Sequence, residues 1–155
     1  MTTSAPGVLI RPLAAGEPAP FSLLLLADPA PDLVAAYLRG SVCVVATVTQ
    51  SVVAVCVLVS HPESVEIKNI SVAPDWQGRG IGRRLVTDAV QRAAEMGAKE
   101  ITVGTGNSSL GQLAFYQKCG FRIVGVERDF FARYAEPIEE NGIPCLDLVR
   151  LSRAL

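Results

Sequence analysis

One stretch limits what this chain can fold into more than any other: Val72-Ala-Pro-Asp-Trp-Gln-Gly-Arg-Gly-Ile-Gly-Arg-Arg-Leu-Val86. The residues before it alternate. Val65, Ile67, Asn69 and Ser71 are expected on one face of a strand, and Glu66, Lys68, Ile70 and Val72 on the other. Pro74 ends that strand, because proline cannot donate to a ladder. Beyond the stretch, apolar residues recur at 81, 85, 86, 89, 90, 93 and 96, one helical stripe closed by Gly97. Between strand and helix stand Gly78, Gly80 and Gly82 at alternate positions. A strand running through a glycine turn into an amphipathic helix calls for an α/β architecture with the helix packed back on a sheet.

The rest of the chain fits that frame. Residues 8–13 read as a short first strand and 14–20 as a Gly/Pro/Ala loop. Residues 21–27 and 31–38 are helical candidates. Residues 42–48 and 52–59 are rich in valine and read as a hairpin turning at Thr49-Gln-Ser51. A strand is expected at 100–103, then a break at Gly104-Thr-Gly106. Residues 110–119 read as a helix capped by Ser108 or Ser109, and 121–126 and 145–151 as the last strands. The order implies one mixed central β-sheet with helices on both faces. A single domain over residues 8–155 follows a loose tail at 1–7; 155 residues are enough for one core without staples.

Composition removes several classes of function. Half the residues are hydrophobic and 19% are charged, which excludes general disorder. With 14 basic against 15 acidic residues the net charge is −1, so no nucleic-acid partner is expected. The apolar run Leu23 to Ala27, like every other run in the chain, is far short of the ~20 residues of a membrane helix, so no membrane partner is expected. Residues 1–7 lack the basic start and apolar run of a secretion signal, so a cytoplasmic location is expected. Cysteines at 43, 56, 119 and 145, with His61 the one histidine, do not have metal-ligand spacing, so no metal is expected. Cys43 and Cys56 sit in apolar runs and read as core.

The glycine turn has chemistry of its own. Glycines expose successive backbone N–H groups, and a helix start leaves its first N–H groups unpaired and partly positive. Together they form an anion cradle suited to a pyrophosphate. Arg79, Arg83 and Arg84 stand where basic residues are unfavourable unless an anion meets them. No Gly-Lys-Ser/Thr follows, so the cradle is not a Walker loop. The glycine spacing, with the third glycine two residues after Gly80 rather than three, does not match a dinucleotide fingerprint. An ordinary strand-to-helix turn is the other reading of the glycines alone.

The stretch Gln77-Gly-Arg-Gly-Ile-Gly82, after Val72-Ala-Pro74, resembles the Q-x-x-G-x-G/A signature of the GNAT superfamily of acetyl-CoA-dependent N-acetyltransferases. Leu113-Ala-Phe-Tyr-Gln-Lys-Cys-Gly-Phe121 resembles that family's Y-x-x-x-G-F helix end, and the similarity covers roughly residues 40–151. Residues 103–110 and 139–143 resemble its bacterial YvbK-like branch. The resemblance implies a GNAT-like α/β domain whose fourth and fifth strands splay apart around the acetyl group. It implies acetyl-CoA as cosubstrate, an amine acceptor and, by family habit, a homodimer.

Residue by residue, the backbone of Gln77, Gly78, Arg79, Gly80, Ile81 and Gly82 is expected on the pyrophosphate. The backbone of Ile70 and Val72 is expected on the pantetheine arm. Tyr116 matches the family's general acid toward the leaving thiolate; packing against the sheet is its other reading. Glu66, eleven residues before Gln77, matches a general base of the histone-acetylating branch, against an exposed carboxylate paired with Lys68. Its apolar alternation partners Ile70 and Val72 suggest partial burial. The family's asparagine seven before the tyrosine is replaced by Ser109, with Asn107 nine before. Either could meet the cofactor arm or cap a helix. Cys119 ends a helix, where the dipole opposes a thiolate, and is not expected to be a nucleophile.

The loop 128–142 carries Asp129, Glu136, Glu139 and Glu140 beside Phe130, Phe131 and Tyr134. Such a set suits a cationic amine, or is a solvated acidic loop. The enzyme would bring an amine onto the thioester by direct attack. The rival is a regulatory module that binds acyl-CoA without turning it over; a further rival is an interaction domain that uses the fold alone.

Overall fold

The structure, a computed structural model, describes residues 7–155. The tail expected at 1–7 lies outside them apart from Gly7. Seven strands form one sheet in the order β1-β2-β3-β4-β5-β9-β6. These are β1 (Val8–Pro12), β2 (Val42–Val48), β3 (Ser51–Ser60), β4 (Ser64–Val72), β5 (Glu100–Gly106), β6 (Arg122–Glu127) and β9 (Leu148–Ala154). A small hairpin, β7 (Glu139–Glu140) with β8 (Ile143–Pro144), stands apart. Every pairing in the sheet is antiparallel except β4 with β5. Those two are joined through α3 (Ile81–Glu95), the crossover that a parallel pair requires.

The valine-rich strands β2 and β3 are interior strands of the sheet and are buried on both faces, which is why they read as continuous apolar runs. One face is covered by α1 (Phe21–Ala27) and α2 (Pro31–Leu38), through Leu23, Leu24 and Val34 on Val45, Val55 and Val57. The other is covered by α3 and α4 (Leu110–Lys118). There Ile81, Leu85, Val86, Ala89 and Ala93 pack on Val44, Ala54, Cys56, Val65, Ile67 and Ile101. Each fully buried leucine or isoleucine contributes about 1.5–3 kcal/mol, so the α3 stripe anchors its helix firmly. No single helix among the described residues is long and apolar enough to cross a membrane.

Simple alternation fails in β4. Asn69 pairs with Val57 and Ile67 with Leu58, so Lys68 is an extra residue. This β-bulge reverses the faces beyond it. Val65 and Ile67 belong to the α3-side core, and so do Ile70 and Val72. Asn69 instead reaches α1 and α2. The expected grouping of Glu66 with Ile70 and Val72 is therefore wrong.

Two further expectations change. The strand at 100–103 runs on through Gly106 as β5, since its glycines make room for neighbours rather than a break. A Cβ on Gly104 would stand 2.8 Å from Leu148 Cδ2. The last strand begins at Leu148, not 145, because Asn107 Oδ1 accepts the N–H groups of Leu146 (2.8 Å) and Asp147 (3.0 Å) and holds them in a loop.

The β4–β5 ladder ends at Ile67 with Val103, while both strands continue. The splay opens the sheet in its middle.

Candidate active site

The gap between β4 and β5 is the waist of a cleft that passes through the sheet. On the α3–α4 side is a compartment of about 900 Å³, bounded by the glycine turn, Ile70, Val72, Phe115 and Tyr116. On the α1–α2 side is a smaller one of about 320 Å³, bounded by Lys68, Asn69, Thr105, Phe131 and Glu140. Leu26, Ala27, Ile70, Gln112 and Tyr116 line both.

The larger compartment ends on the start of α3. Pro74–Trp76 makes one 3-10 turn, and Gly78 and Gly80 take φ of +75° and +81°, which is left-handed backbone. Arg84 N–H makes the first helical bond, to Gly80 carbonyl at 3.1 Å. No side chain caps the helix and its first turn holds no acidic residue. Among the described residues, the backbone N–H groups from Gly78 to Arg83 have no protein acceptor. A run of unpaired donors at a positive helix end is an anion seat.

Gln77 differs from its neighbours. Its N–H points to Pro74 carbonyl at 3.3 Å, and its side chain donates to Val72 carbonyl at 3.0 Å. It therefore braces the turn against β4. A Cβ on Gly82 would meet Phe115 Cζ at 3.5 Å, an ordinary contact, so α4 lies against this first turn of α3 without packing requiring a glycine there. The arginines divide. Arg83 lines the cleft with Lys118, whereas Arg79 lies over the Trp76 ring at 4.6 Å and Arg84 reaches Val8 carbonyl. Sequence reasoning did not single out Trp76, Phe115 or Lys118. The lone tryptophan three residues before Arg79 was the available signal.

Beyond the end of the ladder, β4 has a free side. Ala73 N–H bonds to Val53 carbonyl on β3. Register is unbroken from Asn69 to Val72. By strand alternation the N–H and C=O of Ile70 and Val72 point away from β3, into the gap.

Tyr116 stands at the waist, 4% exposed. Burial holds its phenol well above the ordinary value, with Cys56 and Cys119 adding to the effect. It stays a proton donor throughout the neutral range. Burial also raises the Cys119 thiol, which disfavours a thiolate there.

The other expected residues lie elsewhere. Glu66 precedes the splay, opposite Thr102, with its carboxylate 3.0 Å from His61 Nε2 and 3.8 Å from Lys68 Nζ. It borders neither compartment, although Lys68 does. Asn107 also borders neither; it staples the 144–147 segment. Ser109 occupies the N-cap position of α4 without capping it, lines the smaller compartment, and donates its hydroxyl to Glu140 at 2.9 Å. Among the described residues no cluster could hold a metal ion.

This geometry can be set beside known proteins. Residues 16–121 match the acetyltransferase (GNAT) family. The YvbK N-acetyltransferase of Bacillus subtilis is 50% identical over 133 residues, 84% of this chain and 86% of its own. A GNAT family acetyltransferase from Elizabethkingia anophelis, solved with acetyl-CoA bound, is 42% identical, with a TM-score of 0.95 over 97% of this chain and 100% of that one. A Bacillus subtilis acetyltransferase solved in complex with CoA is 46% identical, with a TM-score of 0.88 over 96% and 99%. The signature turn, the splayed strands and these relatives agree: the chain belongs to the GNAT family and is an N-acetyltransferase.

Proposed function

We propose that this chain moves the acetyl group of acetyl-CoA to a primary amine by direct attack on the thioester. The observation that carries the reading is a cleft that crosses the sheet, with an unpaired N–H run at one end and a second compartment beyond the gap. The pyrophosphate would lie on Gly78 to Gly82, with Arg83 and Lys118 adding positive charge. The pantetheine amides would pair with the gap-facing backbone of Ile70 and the Val72 N–H as a strand would, the Val72 carbonyl being held by Gln77. The thioester then reaches the waist beside Tyr116.

An amine entering from the smaller compartment loses a proton, and its lone pair forms the C–N bond. The C–S bond breaks, the thiolate takes the Tyr116 proton, and the second proton that the new amide nitrogen sheds passes through solvent to restore the phenol. Positioning supplies much of the acceleration. Glu66 enters only at one remove, through Lys68 or solvent, since its carboxylate already faces His61. A module that only binds acyl-CoA needs no compartment beyond the gap, which favours turnover over that rival.

The test is the melting temperature with and without acetyl-CoA, for the wild type and for Gly80→Glu, together with turnover on a panel of amines. Acetyl-CoA at about 100 times its Kd should stabilise the native state by about 2.7 kcal/mol. Gly80→Glu forces a side chain into left-handed backbone and a carboxylate against phosphate, so the shift should vanish in a variant that still folds. No shift in the wild type sinks the reading.

A further inference from the structure

We infer that Asn69 and Glu140 form the seat of the acceptor, and that the seat takes a small primary amine. This presupposes the acyl transfer proposed above and names its second substrate.

Asn69 is 4% exposed and lies on β4 just past the bulge, next to Ile70. Its Nδ2 donates to Leu24 carbonyl at 2.9 Å and to Tyr37 hydroxyl at 2.8 Å. A carbonyl can only accept, so the amide cannot be flipped, and Oδ1 must face away from α1. That oxygen is buried with no donor. Buried polar atoms in native proteins are nearly always paired, and an orphan is costly. Asn69 also lines the smaller compartment. The missing partner is a donor, and the incoming amine carries one.

Charge in the compartment points the same way. Its two charged residues are Lys68 and Glu140. Lys68 is offset by Glu66 and lies 5.7 Å from the Tyr37 ring centre. Glu140 accepts from the neutral Ser109 hydroxyl, and among the described residues it has no cationic partner. One uncompensated negative charge is left at the mouth, which draws a cation. The remaining wall mixes apolar Leu26, Phe131 and Ile138 with polar Thr105 and Gln112, and the space of about 320 Å³ suits a small molecule rather than a folded protein's surface. The ammonium enters past Glu140 and releases one proton to solvent. The neutral amine then gives an N–H to Asn69 Oδ1, which leaves its lone pair free for the thioester carbon.

The test uses phenethylamine and a short peptide with a free N-terminus as acceptors, with acetyl-CoA saturating. Phenethylamine should be acetylated with saturation and the peptide hardly at all. Asn69→Ala, which leaves Leu24 carbonyl unpaired, and Glu140→Gln, a change at an exposed position, should each raise the phenethylamine KM by about tenfold. Both should retain the melting shift with acetyl-CoA. Should Asn69→Ala not fold, Glu140→Gln decides alone. An unchanged KM in Glu140→Gln, or acetylation confined to the peptide, overturns the seat while the acetyl-CoA shift stands. Loss of that shift in the wild type overturns the acyl-transfer reading instead.

Discussion

Tyr116 packs between Phe115 and Phe121, with ring centroids 5.3 and 5.8 Å away. The rings fix the phenol in place and keep water from stabilising its anion. Tyr116→Phe should therefore leave acetyl-CoA binding intact and lower kcat by about a hundredfold, the low end for loss of a general acid. Because burial raises its pKa, the wild-type kcat should show no alkaline decline due to this group below about pH 10, the ordinary tyrosine value. A pH–rate profile reads both. Tyr116 was legible because its motif sits at a helix end that a sequence displays directly. Asn69 was not. A polar residue in an alternating strand reads as one more position on a face, and only the bulge at Lys68 shows that it turns toward α1.

Among the elements, the β2–β3 hairpin turns through Thr49 and Gln50, whose φ values are +49° and +68°. Two successive left-handed residues mark the type of turn that favours Asn-Gly. Neither side chain suits it. Gln50→Gly should remove about 1–2 kcal/mol of left-handed strain and lose about 0.4–1 kcal/mol of it to a looser unfolded chain, a small net gain in stability that denaturant titration reads. The hairpin and α3 could be read from sequence since valine runs and a 3.6-residue stripe are local signals. The continuation of β5 through Gly104 and Gly106 could not. Glycine ordinarily weakens a strand, and what justifies it here is Leu148, far away in the chain.

Across the whole molecule, the α1–α2 layer and the 128–142 loop meet at Asp28, which accepts the Tyr134 hydroxyl at 3.0 Å and also raises the Tyr37 phenol. Burial, helped by Asp28, pushes Tyr37 up to about 12, and Tyr134 is raised by the same causes. A phenol raised in the folded state stabilises fully below its unfolded pKa of about 10 and loses that contribution as pH rises through the folded value. Stability should thus fall between about pH 10 and 12, and less steeply in Tyr37→Phe, as followed by denaturant titration across that range. Sequence order gave one mixed sheet with helices on both faces, but the splay came only from the family resemblance. Where two parallel strands part depends on side chains brought from both, and no local pattern encodes it. The parted strands also leave a mark in time. Amide protons of Ile70 and Val72 point into open cleft rather than into a neighbouring strand, so they should trade with heavy water quickly although they lie mid-sheet. Those of Ser71 and Ala73, turned toward β3, should be slow. Addition of acetyl-CoA should slow the first pair and leave the second as it was, so that the cosubstrate completes the sheet as a borrowed strand, recorded by isotope uptake.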